Sequence, residues 1–246
     1  MALPFETDGG AAARAAFGVI LLSVDETLEP EFGAVMPGEG AAVYHARILA
    51  AATVTTEHLT RMEAELPRTA ALLPERDYAA VAYACTSAAA VIGSDRVEAL
   101  IAGVRPAPVT DPLRAVIAGC EALGVRRVGF LTPYVPAVSA TMRARLEAAG
   151  LEIAAFGSFE EERESVVARI TEAATLEAVK TVGGGAGVEV VFASCTNLRT
   201  FGIIDAAEAA LGVPVISSNL ALAWDLLRRA GLKPREGAPG RLLATL

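Results

Sequence analysis

Residues 192–199 read FASCTNLR and residues 82–87 read AYACTS. In both, an apolar run suited to a buried strand stops at a cysteine, and hydroxyl or amide side chains follow. The two cysteines stand 110 residues apart, nearly half of the 246-residue chain. That spacing predicts an internal duplication, and the rest of the sequence can be laid over it.

GVILLS at 18–23 aligns with VGFLT at 128–132, and AVYHARI at 42–48 with LEIAAFG at 151–157. AVAYACTS at 80–87 aligns with VVFASCTN at 190–197, and APVTDPL at 107–113 with PVISSNL at 214–220. All four offsets fall between 107 and 110. Short apolar runs alternate with longer amphipathic ones, as βα units of a parallel sheet require. Strands are predicted at Gly18–Leu22, Val43–Leu49, Ala79–Ala84 and Val104–Val109, and again at Arg127–Leu131, Leu151–Phe156, Glu189–Ser194 and Val213–Ile216.

The expected fold is therefore α/β. Two pseudo-symmetric lobes each carry a four-stranded parallel sheet flanked by helices, with the active site in the cleft between them. Residues 1–111 plus 217–246 would form the first lobe and 112–216 the second, the last helix crossing back onto the first. In open α/β sheets ligands sit at the carboxyl ends of strands, and there the two cysteines lie.

Helix starts after Cys85 and Cys195 would aim backbone N–H groups and the positive end of a helix dipole at the cleft. Such surroundings lower a thiol's pKa and seat a carboxylate or a developing oxyanion. Two thiols on opposite sides of one substrate can remove a proton on one face and return one on the other. A lone cysteine is more often a small buried hydrophobe. The repeated Cys-Thr context argues against that for this pair, whereas Cys120, inside a helical pattern, reads as core.

Composition narrows the partners. Hydrophobic residues make up 53% and charged residues 20% of the chain, and net charge is −8 with scattered basic residues. Nucleic acid needs a clustered basic footprint, so it is not an expected partner. No apolar run reaches the roughly 18–20 residues of a membrane span, and the acidic N-terminus does not resemble a secretory signal. A cytoplasmic protein with free thiols is expected, and alanine-rich helix faces suit a homo-oligomer. His45 and His58 lack metal-ligand spacing, VGGGAGVE at 182–189 lacks a phosphate loop's lysine, and EEERES at 160–165 reads as a solvated helix start. No metal or cofactor is expected.

The two Cys-Thr strand ends, SVDETLE at 23–29, LTPY at 131–134 and VPVISSNLALAWDLLRRAG at 213–231 together resemble the aspartate/glutamate racemase superfamily. Within it the likeness is to maleate cis-trans isomerases, arylmalonate decarboxylases and ectoine-utilisation racemase-like proteins. The resemblance implies a cofactor-independent isomerase or racemase of a small carboxylate or amino acid. Cys85 would be the nucleophile that adds to a double bond and Cys195 the acid/base opposite. Thr86, Ser87 and Thr196 would hold substrate carboxylates with help from backbone amides, Asn197 would join them in binding the substrate, and Tyr134 would hydrogen-bond it. Decarboxylases of the family keep only the second-lobe cysteine, so Cys85 argues against simple decarboxylation. That reaction and non-catalytic carboxylate binding are the alternatives, and low-pKa thiols would separate enzyme from binder.

Two positions depart from the pattern. Asp25 stands where maleate isomerases carry an asparagine, and an ionised aspartate repels a carboxylate unless it is protonated or faces an ammonium group. After the second strand of lobe two, Glu162 and Arg163 replace an asparagine, and Arg163 could clamp a carboxylate. Asp25 suits an amino group, which favours racemisation.

Overall fold

Strands buried on both faces read as continuous apolar runs rather than alternating ones, and the central strands here have that character. AAFGVILL at Ala15–Leu22 (β1) and AVAYA at Ala80–Ala84 (β3) are buried at every position. The computed structural model describes residues 1–51 and 53–246. The first half adds α1 (Leu28–Val35), β2 (Ala41–Ile48), α2 (Thr56–Ala70), α3 (Thr86–Ile92), α4 (Ser94–Ala102) and β4 (Val109–Thr110). The second runs α5 (Pro112–Leu123), β5 (Arg127–Thr132), α6 (Pro136–Ala148), β6 (Glu152–Ser158), α7 (Glu164–Val167) and α8 (Glu172–Gly183), then β7 (Val190–Ala193), α9 (Ile204–Leu211), β8 (Val215–Ser217) and α10 (Ser218–Ala230).

The strands form two parallel four-stranded sheets of the same order, β2-β1-β3-β4 and β6-β5-β7-β8. The expected two-sheet α/β architecture is thus the observed one. Register corrects the alignment in detail. Gly18 pairs with Val81 and Gly129 with Val191, so with Val81 matched to Val191, Gly18 corresponds to Gly129, one residue beyond the sequence alignment. Each of these glycines lies where a helix comes down on the sheet: an added Cβ would stand 2.8 Å from Leu73, just after α2, or 3.1 Å from Val182 of α8.

The predicted strand Val104–Val109 is not formed, and β4 is only Val109–Thr110. Pro106 and Pro108 lack the N–H that a sheet ladder needs, and only the Pro108 carbonyl joins in, accepting from Val81 N–H at 2.9 Å. β4 ends at Asp111, whose carboxylate accepts from Leu113 and Arg114 N–H and starts α5 with Pro112 in the first turn. Ser217 starts α10 in the same way through Leu220 N–H. α10 is buried over Ser218–Leu227 and packs on β3, α1 and α5. Its first turn therefore reaches the carboxyl ends of strands in both sheets.

Candidate active site

Cys85 and Cys195 lie one and two residues past the ends of β3 and β7, each 2% exposed. Beyond them the two halves differ. Cys85 caps α3 directly, with Thr86 as its first residue. After Cys195 the chain makes a turn instead of the expected helix, and α9 begins only at Ile204. Cys195 holds φ +122°, a region strongly disfavoured for any residue with a Cβ. This turn brings Asn197 N–H to 3.3 Å from Cys195 Sγ. The anion seat expected at a second helix start is replaced by an amide aimed at sulfur.

α10 ties the two strand ends together. Ser218 Oγ accepts from Cys195 N–H at 3.0 Å and lies 2.8 Å from Thr86 Oγ1. Ser87 Oγ is 3.6 Å from Cys85 Sγ, and Thr196 Oγ1 donates across to Ala84 O at 3.4 Å. Asn219 Nδ2 donates to Thr196 O at 2.8 Å and to Glu31 Oε2 at 2.6 Å. Glu31 also accepts from the N–H groups of Thr200 and Phe201, so α1 of one half is bound to the turn of the other.

Asp25 lies after β1, 3% exposed. Its Oδ1 accepts from Thr27 and Leu28 N–H at 2.9 and 2.8 Å, ordering the start of α1, while its buried Oδ2 has no hydrogen-bond partner. Tyr134 follows β5, fully packed, with its hydroxyl beside Cys195. Asn197, expected to touch substrate, is engaged within the protein. Its Nδ2 donates to Glu164 Oε2 (2.9 Å), Glu164 O and Val24 O, and its Oδ1 accepts from Glu26 N–H.

Arg163 stays outside this cluster. Its guanidinium forks onto Glu161 at 2.8 and 2.7 Å and remains largely in solvent. A chelating carboxylate two residues away is a nearer partner than the cleft. The next residue, Glu164, occupies the site instead, 3% exposed at the start of α7. The acidic run therefore is not wholly solvated, and Glu164 is the residue that sequence reasoning missed. Ser218 and Asn219 were also passed over as site residues, although their place after β8 matches the motif that capped α5.

Electrostatics reverses one expectation. Burial pushes the Cys85 thiol up to about 12 against the pull of Ala88 N–H and Ser87, and the charges of Glu164 and Asp25 add to the rise. Burial likewise raises Cys195 well above the ordinary thiol value; Glu164 and Asp25 add to it, and Tyr134 and Asn197 N–H oppose it. Burial raises Glu164 to about 7, with Asn197 lowering it and Asp25 raising it, and burial raises Asp25 as well. Desolvation outweighs the donors around both sulfurs. Reactivity of the free thiols therefore does not separate enzyme from binder. The charges of the same two carboxylates are felt by both thiols.

Among the described residues no cluster of three or more His, Cys, Asp or Glu could hold a metal ion. None of the described helices is long and apolar enough to cross a membrane.

The arylmalonate decarboxylase family profile matches residues 18–243. The chain belongs to that family. An arylmalonate decarboxylase from Bordetella bronchiseptica is 31% identical, with 87% of this chain and 93% of that protein covered. A maleate isomerase from Nocardia farcinica is 27% identical, covering 92% and 94%. A solved structure of the Nocardia farcinica maleate cis-trans isomerase, a cysteine-to-serine variant with a covalently bound succinylcysteine intermediate, superimposes with TM-score 0.84 at 27% identity. It covers 93% of this chain and 98% of its own. The resemblance read from the Cys-Thr motifs is borne out, and with it the reading of the chain as an enzyme related to isomerases.

Proposed function

We propose that the protein is a cofactor-independent isomerase or racemase of a small carboxylate, with Cys85 and Cys195 acting from opposite sides of the substrate. The observation that carries this reading is the placement of both thiols at equivalent strand ends, under the shared influence of Glu164 and Asp25. In racemisation, one cysteine as thiolate takes the proton from the carbon next to the carboxylate. The electron pair passes into the carboxylate, and the opposite thiol gives its proton to the other face. The two sulfurs then hold exchanged protonation states, so acid and base are both supplied by the chain.

The same pair supports cis-trans isomerisation. One thiolate adds to an alkene carbon, the opposite thiol protonates the neighbouring carbon, and rotation about the new single bond precedes the reverse elimination. The succinylcysteine in the Nocardia farcinica structure is an adduct of this kind. Ser87 is the hydroxyl best placed to turn toward a bound carboxylate, since Thr86 is held by Ser218, while Thr196 makes a long bond to Ala84 O and stands beside the Asp25 carboxyl.

Proton NMR in deuterated water over maleate, aspartate, glutamate, hydantoin-like and diaminobutyrate-type compounds tests this reading. Racemisation incorporates deuterium at the stereocentre, and isomerisation converts cis to trans signals. Cys85→Ser and Cys195→Ser should each abolish the change, and full activity in both single variants would overturn the two-thiol mechanism. Carbon dioxide release dependent on Cys195 alone would instead mark a decarboxylase.

A further inference from the structure

α1 belongs to the first half of the chain, yet two side chains at its start reach the turn that follows Cys195 in the second. Thr27 Oγ1, at the helix cap, donates to Asn197 O at 2.9 Å. Glu31, 8% exposed, accepts from Thr200 N–H at 2.7 Å, Phe201 N–H at 2.9 Å and the Thr200 hydroxyl at 3.1 Å. Its other oxygen takes Asn219 Nδ2 at 2.6 Å. Positions four apart share one side of a helix, so α1 lays that side along the turn. Among the described residues no cation pairs with Glu31, and the Thr200 and Phe201 N–H groups have no other acceptor.

This turn carries the strained backbone of Cys195, with φ +122°. Such a conformation lasts only where its surroundings over-determine it. On the amino side, Ser218 Oγ holds the Cys195 N–H. On the carboxyl side, Asn219 Nδ2 holds the Thr196 carbonyl at 2.8 Å, and Glu31 holds that amide in turn. The Asn197 side chain fastens the middle of the turn. Glu31 fastens its beginning, through Asn219, and its end directly. A carboxylate offers acceptors on both oxygens and strengthens each bond by its charge. The donors form an anion seat, and the protein's own side chain occupies it.

We infer that Glu31 is a positioning residue for Cys195, its carboxylate in the first half of the chain holding the turn that sets the second half's sulfur. The contact of Asn197 N–H with Cys195 Sγ at 3.3 Å depends on that hold. Cys85 has no such dependence, because it caps α3 directly. Withdrawing α1 from the turn would relax Cys195 and leave Cys85 in place, so the two thiols are set against each other only while the halves are together. The purpose of the turn rests on the two-thiol reading above; the hold itself does not.

The test is iodoacetamide labelling of the native full chain, resolved by cysteine in the mass spectrometer. Cys120, buried in α5, labels when the whole fold opens and serves as the internal reference. Glu31→Ala should raise the Cys195-to-Cys120 rate ratio about tenfold or more over the wild type, because the turn then opens without global unfolding. Val35→Ala removes buried packing from the same helix without touching the turn, and should leave the ratio within about threefold of the wild type. Should Glu31→Ala not fold, Glu31→Gln is read in its place, since it keeps the volume and turns one acceptor into a donor. An unchanged ratio in the Glu31 variant, or an equal rise in Val35→Ala, would overturn the proposal. Labelling needs no substrate, so a failed isotope-exchange assay leaves the hold standing, and an unchanged ratio sinks it whatever that assay shows.

Discussion

The Ser218 hydroxyl meets Thr86 at 2.8 Å and accepts from the Cys195 amide at 3.0 Å. One side chain at the start of α10 thus fixes the strand end of each sheet. Ser218→Ala leaves the buried Cys195 N–H without its partner, at a cost of about 1–3 kcal/mol. Urea unfolding should show that loss, and Ser218→Thr should recover most of it.

The backbone at Cys195 stores strain. With φ +122°, this position suits glycine, and a Cβ there costs roughly 1–3 kcal/mol. Cys195→Gly is therefore expected to be more stable than Cys195→Ala in denaturant melts, although both lack the thiol. Equal stability of the two would show that the turn relaxes when the sulfur is removed.

Free thiols should be slow to react. Burial raises Cys85 to about 12, Cys120 to about 12 and Cys195 well above its ordinary value. Iodoacetamide at neutral pH should label the native protein far more slowly than the urea-unfolded chain, as mass spectrometry would record. Fast labelling of Cys85 or Cys195 in the native protein would contradict the closed site.

Glu31 ties stability to pH. Burial raises it from 4.5 to about 7, against the donors on Asn219, Thr200 and Phe201. A raised carboxyl contributes stability that is complete below its unfolded value and is lost as pH rises through the folded one. Between about 4.5 and 7 the unfolded chain gives up the proton that the folded chain keeps. Unfolding free energy attributable to this group should fall across that window, and Glu31→Gln should flatten the fall.

Arg163 should be dispensable for catalysis. Its side chain pairs with Glu161 in solvent, and exposed pairs contribute about 0–1 kcal/mol. Arg163→Ala should leave the solvent-exchange rate and the melting curve nearly unchanged. Glu164→Ala, one residue on, should alter both, because it removes a buried partner of Asn197.

These neighbours show what could be read from residues alone. Cys85 and Cys195 were legible because a duplicated chain repeats its strand ends, and two imperfect copies reinforce each other. Glu164 was hidden in EEERES, where four acids look alike until tertiary packing buries one of them. The strand predicted at Val104–Val109 failed on a local rule within reach, the missing donors of Pro106 and Pro108. The positive φ of Cys195 left no trace in the sequence, because no glycine marks the position.

Asn197 spans the two halves, holding Glu26 N–H and Val24 O from one and Glu164 from the other. Val54 N–H to Glu162 O and Arg169 to Glu26 add to the same seam. Both cysteines are only 2% exposed, so a substrate meets the sulfurs only after some part of this buried packing opens. Admission is then a unimolecular event of the protein, independent of substrate concentration. Its rate constant is a ceiling on turnover, however fast the proton transfers behind it.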